Sequence, residues 1–409
     1  MSQVINTTLS RGITSADGYH HLVYSISGTT HTLFLDNSAI AVNISGGNMF
    51  STYPNIKNLF LGIAGDLSYK YTGYIDDFKV YNRALTTTDV SAIYNLNYIP
   101  KGTIVNGIGK QLIDNKYEYY VFTDTSASST LSFSRNANFE YLIVAAGGNG
   151  GADFGAGGGA GGVVYGSDSI TSSNQIIINV GKPANAIYNA AVSGGNSTIT
   201  FNSNTITANG GGAGCSQYST GSNGGSGGGA GSYGGNSTPK NGIAGQGNNG
   251  GNAGTPITST TSPGGGGGAG GVGGSGGYST AGAIGGAGGN GTNLYSEWII
   301  FISSYMNTIY TNWSQYTISG GIGYIASGGA AGTSSFGGST TGRRLRTIGG
   351  GGDGGSTGSN GLAAIYRADP TSGIPNTGGG GGGRGGNHPG TGLTVVQGGS
   401  GIVIIRVIR

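Results

Sequence analysis

Hydrophobic and polar positions alternate in short runs through the first hundred residues. His20–Ile26 (HHLVYSI) alternates, Thr32–Asn37 (TLFLDN) runs apolar into an Asp-Asn turn, and Lys57–Ile63 (KNLFLGI) is a third short run; each predicts a β-strand. Gly73–Leu85 (GYIDDFKVYNRAL) predicts another, a final core strand to which Ile75, Phe78 and Val80 belong. Thr86–Asn95 then changes to helical spacing, with Thr88 as the cap ahead of Val90, Ile93 and Tyr94. Residues 96–116 carry Pro100 and three glycines and read as a linker.

Beyond residue 139 the apolar runs become continuous. Phe139–Ala146 (FEYLIVAA) predicts a buried strand, and Gly162–Tyr165, Gln175–Val180, Ser197–Phe201 and Thr205–Ala208 follow at short spacing. Gly401–Arg409 (GIVIIRVIR) closes the series. Between Leu294 and Tyr316, the residues Trp298, Ile302, Tyr305, Met306, Ile309 and Trp313 fall at helical spacing. That predicts one short α-helix near residues 295–314, with Ser296 as its cap. Two readings of it stay open: a cover for the glycine-rich region, or an exposed aromatic patch that meets a partner. Its polar flanks and Glu297 argue against a membrane span.

Composition changes the picture most between these strands. Of 92 glycines, 11 precede Gly147 and the other 81 lie between Gly147 and Gly401. Glycine loses more backbone entropy on folding than any other residue and brings no side chain to a core. Runs such as Gly264–Gly268 and Gly378–Gly383 lack the strict triplet of collagen. Two alternatives remain, a flexible linker and a bundle of extended polyglycine segments hydrogen-bonded to one another. The interleaved Val-, Ile- and Tyr-rich strands argue for a folded body, a small β-sandwich with long ordered glycine-rich connections.

Two motif sets carry a resemblance. Phe139–Gly162 (FEYLIVAAGGNGGADFGAGGGAGG), Ile176–Gly181 (IIINVG), the later GGGGGAGG block and Gly398–Arg406 (GGSGIVIIR) resemble the glycine-rich domains of phage and viral tail-fibre adhesins, over residues 117–409. The same region is more distantly similar to the glycine-rich extracellular part of anaplastic lymphoma kinase-type receptors. The adhesin resemblance implies a lattice of polyglycine II helices with variable loops at one end that touch the host surface. A three-fold extended helix has no internal hydrogen bonds, so buried N–H and C=O groups must find neighbouring helices, and only glycine lets them pack on all sides.

Tyr19–Val23 (YHHLV), Leu33–Asn37 (LFLDN), Leu61–Ile63 (LGI) and Gly73–Leu85 resemble, in that order, the concanavalin A-like laminin-G/pentraxin jelly roll. Tyr19 stands where that family usually has tryptophan, and the resemblance covers only the C-terminal half of the jelly roll, over residues 1–95. The family often binds glycans, sometimes through calcium. Half a sandwich puts both sites in doubt. The implied fold is all-β: a partial jelly-roll β-sandwich, a linker, then a small β-sandwich carrying a polyglycine II helix bundle.

Charge and candidate chemistry narrow the function. Charged residues make up 8% of the chain, against about 25% in ordinary domains, and the net charge of +3 is too weak to imply nucleic acid. Arg343–Arg346 (RRLR) is the one basic cluster and reads as solvated surface. The single cysteine, Cys215, leaves no disulfide framework, and no charged-then-apolar signal peptide opens the sequence. Sequons at Asn196 and Asn236 are therefore expected to stay unused. His20 and His21 fall on the jelly-roll strand, His31 in a hairpin and His388 beside Pro389. There is no HExxH and no paired cysteine, and GxGxxG matches follow from composition. Asp76 and Asp77 could ligate calcium, but the motif that holds them favours a structural role, so no metal or cofactor is expected.

These readings point to a non-enzymatic adhesin on a virion or extracellular surface. Its expected partners are a host cell-surface glycan or outer-surface protein and other virion fibre or capsid proteins, in a chain that could also self-associate. The expected contact residues interrupt the glycine blocks: Tyr218, Tyr233, Tyr278, Arg367, Arg384 and His388. A rigid structural spacer is the alternative. Ice binding, which polyglycine II bundles perform elsewhere, wants a flat regular face that these irregular aromatic loops do not offer.

Overall fold

The structure is a computed structural model and describes residues 20–27, 30–40, 78–97, 100–184, 190–217, 219–231, 238–254, 262–279, 282–335, 345–357, 369–385 and 396–408. The chain divides into two compact units, Met1–Ile99 and Pro100–Arg409.

In the first unit, β1 (Leu22–Ser27), β2 (Thr30–Leu35) and β3 (Ser38–Ile40) form an antiparallel sheet in that order. Asp36 and Asn37 form the β2–β3 turn with φ of 49° and 66°, the left-handed pair that a two-residue hairpin requires. The Asp36 carboxylate accepts from the His21 backbone N–H at 2.9 Å and lies 2.6 Å from His20 Nδ1, which pins the start of β1 to this turn. Helix α1 (Thr87–Asn97) is capped by Thr86, not Thr88. Thr86 Oγ1 accepts from the Asp89 N–H at 3.2 Å and Asp89 Oδ2 accepts from the Thr86 N–H at 2.9 Å, a reciprocal box that needs an acid three residues after the cap. Ser91 Oγ donates to Asn37 Oδ1 at 2.7 Å, joining helix to hairpin. Phe78 and Val80 are exposed and in no strand, contrary to the core strand expected there. The expected strand at 57–63, Ile75 and the Asp76–Asp77 pair lie outside the described residues.

The second unit begins at Pro100, so the segment read as a linker belongs to the fold. β4 (Gly102–Asn106) and β5 (Lys110–Ile113) are edge strands of two facing sheets. The others are β6 (Tyr117–Phe122), β7 (Ser129–Phe133), β8 (Ala137–Val144), β9 (Val163–Ile170), β10 (Gln175–Asn179), β11 (Ser197–Phe201), β12 (Asn204–Ala208) and, after the glycine-rich region, β19 (Ile402–Ile408). One sheet runs β12-β11-β10-β7-β4 and the other β5-β6-β19-β8-β9, with every neighbouring pair antiparallel. Phe122, Leu131, Phe139, Ile176, Ile199, Phe201, Val403 and Ile405 fill the space between them.

The second sheet is covered on its other face as well, which explains the continuous apolar run of β19. Ile402 and Ile404 face out with Val121, Leu142 and Val144, and α2 (Ser296–Ile309) lays Trp298, Ile299, Ile302 and Met306 on them. The single helix expected near 295–314 is two. Asn312 adopts φ of 61°, the chain turns, and α3 (Trp313–Thr317) follows, its Ser314 N–H donating to Asn307 Oδ1 at 2.9 Å. Ser296 is the first helical residue and not a side-chain cap; its hydroxyl accepts from the Gly323 N–H at 2.9 Å. Trp298 and Trp313 are buried, so this segment is a cover and not an exposed aromatic patch.

The glycine-rich region leaves β8 and returns to β19 as a lattice. Over Ala156–Gly162 the amide of every third residue turns to the same neighbour, with N···O distances of 2.7–3.1 Å. Ala156, Gly159 and Gly162 donate to Cys215, Gly212 and Asn209. Gly157 and Ala160 donate to Gly264 and Gly267, and Gly158 and Gly161 to Gly381 and Gly378. Carbonyls of the same stretch accept from three further segments, through Gly229 and Ser226, through Gly329, and through Gly148, Ala145 and Gly151. One extended helix thus has six hydrogen-bonded neighbours. Partner numbers step by three because a helix with three residues per turn presents every third residue to the same side. This is a polyglycine II bundle, with parallel and antiparallel contacts mixed. Short ladders attach to it: β13 (Gly277–Ser279), β14 (Gly282–Ile284), β15 (Ile318–Ser319), β16 (Ile322–Gly323), β17 (Thr333–Ser335) and β18 (Ser356–Thr357).

Candidate functional site

The direction of each lattice helix fixes where its ends emerge. The chain runs outward from β8 over 145–151, turns, and comes back over 156–162 into β9, with Ala145, Gly148 and Gly151 donating to Gly162, Gly159 and Ala156. The turn at 152–155 therefore marks the end remote from the sandwich. Asp153 and Phe154 there have φ of 36° and 50°, a left-handed conformation unusual for a bulky residue.

Other segments end level with this turn. Gln217 N–H donates to the Asp153 carbonyl, Gly155 to Arg384, Phe154 to Gly385 and Gly332 to Gly155. Thr333 then donates to Gly355, and Gly355 to Gly383. Farther across, Ala230 donates to Gly251, Gly254 to Ser262 and Gly276 to Asn252. These ends form a distal rim; at the opposite end the described chain turns over 268–271 and passes out through α2 and α3 before returning at Ile325. The rigid bundle beneath the rim offers backbone and almost no charge.

Of the six contact residues expected from the sequence, Tyr218, Tyr233, Arg367 and His388 lie outside the described residues. Tyr278 sits on β13, two residues before the next undescribed stretch. Arg384 departs from expectation: it is 4% exposed, its amide bound to Gly151 and its carbonyl to Gly155, so it is part of the lattice and is not presented by it. Cys215 is also buried, its thiol donating to the Thr220 carbonyl, and burial pushes that thiol up from its ordinary value.

Sequence reasoning missed a second feature, away from the rim. Arg346, read as solvated surface, is tied to Asp353 by Nε–Oδ1 (3.2 Å) and Nη2–Oδ2 (2.8 Å), with Nη2 also donating to Thr371 Oγ1 at 2.9 Å. Its guanidinium lies 4.8 Å from the centre of the Tyr316 ring. Arg346, Thr371 and Tyr316, together with Tyr310, Gln397 and Ser400, line a cavity of about 370 Å³ between the α2–α3 corner and the lattice. No local pattern announces it, because its walls come from five separate stretches of chain. Arg343 and Arg344 lie outside the described residues.

Among the described residues, no group of three or more His, Cys, Asp or Glu side chains is placed to hold a metal ion. No described helix is long and apolar enough to cross a membrane. Residues 3–91 match the Concanavalin A-like lectin/glucanases superfamily, and residues 123–408 match the family described as glycine-rich domain. No curated protein matches the chain. With most of its length matched, the chain belongs to the glycine-rich domain family, preceded by a laminin-G-type concanavalin A-like segment.

Proposed function

We propose that the protein is a non-enzymatic surface adhesin, a viral fibre-tip or capsid-surface component that attaches to a host glycan or outer-surface protein. One observation carries the reading: the lattice segments are cross-bonded to one another, and several of them end level with each other at a rim remote from the sandwich. Such a body holds variable loops in fixed positions while offering few side chains of its own. Binding energy then comes from the interrupting side chains, where aromatic and arginine residues are favoured. The lectin-type match of residues 3–91 is consistent with a surface role.

The test replaces Tyr218, Tyr233, Tyr278, Arg367 and His388 together with alanine. Attachment to host cells should be lost while the melting curve stays nearly unchanged. Undiminished attachment would leave the lattice as a rigid spacer, the alternative reading.

A further inference from the structure

We propose that the cavity between the α2–α3 corner and the lattice binds a single neutral hexopyranose ring. It lies on the proximal flank, apart from the distal rim, and stands or falls independently of the attachment reading. Its floor is lattice backbone at 373 and 398–399, and its walls are Tyr310, Tyr316, Arg346, Thr371, Gln397 and Ser400. The corner is firmly built. Trp313 Nε1 donates to the Pro375 carbonyl at 3.1 Å, and Ser400 Oγ is fixed between the Asn376 N–H and side chain at 2.9 and 3.0 Å.

The polar groups here divide into spent and spare. Asp353 has both oxygens engaged, by Arg346 N–H and Nε on one side and by Nη2 and Thr371 on the other. Arg346 Nη1 is different: it is buried and has no hydrogen-bond partner. With no accessible surface it is out of reach of a molecule in the cavity, so recognition falls to the remaining polar groups. Among the described residues the Tyr310 and Tyr316 hydroxyls and the Gln397 amide also make no hydrogen bond within the protein.

The ligand class follows from that set. Two half-buried tyrosines offer apolar ring faces for the C–H face of a sugar and hydroxyls for its edge. The Gln397 amide supplies two further donors and an acceptor suited to neighbouring hydroxyls. Because Asp353 already neutralises Arg346, the site carries no net positive charge to draw a carboxylate or sulfate. The cavity is at the small end of the roughly 300–1,000 Å³ typical of ligand sites, room for one ring and not for a chain.

The test is calorimetric titration of the full chain with glucose, galactose, mannose and N-acetylneuraminic acid, repeated on Tyr316→Ala and Gln397→Ala. At least one neutral hexose should bind with a Kd near about 1 mM, as suits so few contacts. Each substitution should weaken it at least ten-fold, Gln397→Ala without moving the melting temperature and Tyr316→Ala with a lower one, because its ring also packs on the core. Binding unchanged in both variants would place the sugar elsewhere and overturn the site. Preference for N-acetylneuraminic acid would overturn the neutral-ring assignment, and no binding by any hexose would overturn the proposal. None of these outcomes alters host attachment through the rim, which the five-alanine variant measures separately.

Discussion

Arg406 lies across the face of Trp298, its guanidinium carbon 4.2 Å from the ring centre. The residue belongs to β19, where it sits between Tyr119 and Glu140 on the flanking strands. Its Nε donates to Glu140 Oε2 at 2.6 Å and its Nη1 to Glu297 Oε1 at 2.7 Å, and the Tyr117 ring centre is 4.0 Å away. A lone cation in an apolar strand is tolerated because every wall of its pocket is an acid or an aromatic face.

Removing that cation leaves Glu140 uncompensated beneath the helix. Arg406→Met should lower stability by about 2–3 kcal/mol in urea unfolding, less than the roughly 3–5 kcal/mol of a fully buried pair because the Glu140 side chain is 29% exposed. Glu297 has a side chain 68% exposed, so Glu297→Gln should cost less than about 1 kcal/mol. Equal costs for the two would mean that the helix side of the pair, not the strand side, holds α2 in place.

Acid should weaken the same cluster. Burial pushes the Glu140 carboxyl up, but hydrogen bonds from Arg406 and Tyr165 outweigh it and hold the group below its ordinary value. A folded value below the unfolded one gives stability that is complete above about pH 4.3 and fades as pH falls through the folded value. The stability gap between the protein and Glu140→Gln should therefore be constant from about pH 6 to 9 and close in acid. At the other end, the hydrogen bond to Glu140 and burial push Tyr165 up to about 12. Its share is present below about pH 10 and lost as pH rises through that value. A Glu140→Gln gap that persists unchanged to pH 2 would refute this assignment.

Glycine positions should separate sharply by what a β-carbon would meet. At Gly266 it would overlap the Gly158 carbonyl, whereas at Gly277 it would meet nothing within 4 Å. Gly266→Ala should cost well over the ~1 kcal/mol of an average point change, and Gly277→Ala should be close to neutral. Similar melting temperatures for the two variants would mean that the glycine runs are filler.

What the sequence disclosed follows from locality. The strands of the sandwich core were readable because β8, β10, β11 and β19 are short β-branched runs, and the unbroken IVII of β19 already signals burial on both faces. Residues 102–113 misled because Gly102 and Gly107 punctuate them. Gly102 is there because a β-carbon would overlap the Tyr120 ring, whose hydroxyl takes the Gly102 N–H at 2.8 Å, and Gly107 because its φ is 81°. Both strands are sheet edges with half their side chains in solvent, so they lack the apolar signature of the core. The break at Asn312 and the Arg346–Asp353 pair depend on contacts between distant segments, which no window of sequence contains. The same holds for Arg384, whose burial follows from the lattice around it and not from its neighbours in the chain.

The central claim is that the glycine-rich region is an ordered, mutually hydrogen-bonded bundle, and amide hydrogen exchange tests it most directly. The helix over 156–162 is surrounded by six partners, each of its amides bonded at 2.7–3.1 Å. These amides should exchange only through global opening, as slowly as those of Leu142 and Ile404 in the sandwich core. Exchange of 156–162 at random-coil rates, with the core still protected, would contradict the lattice and return this region to a flexible linker.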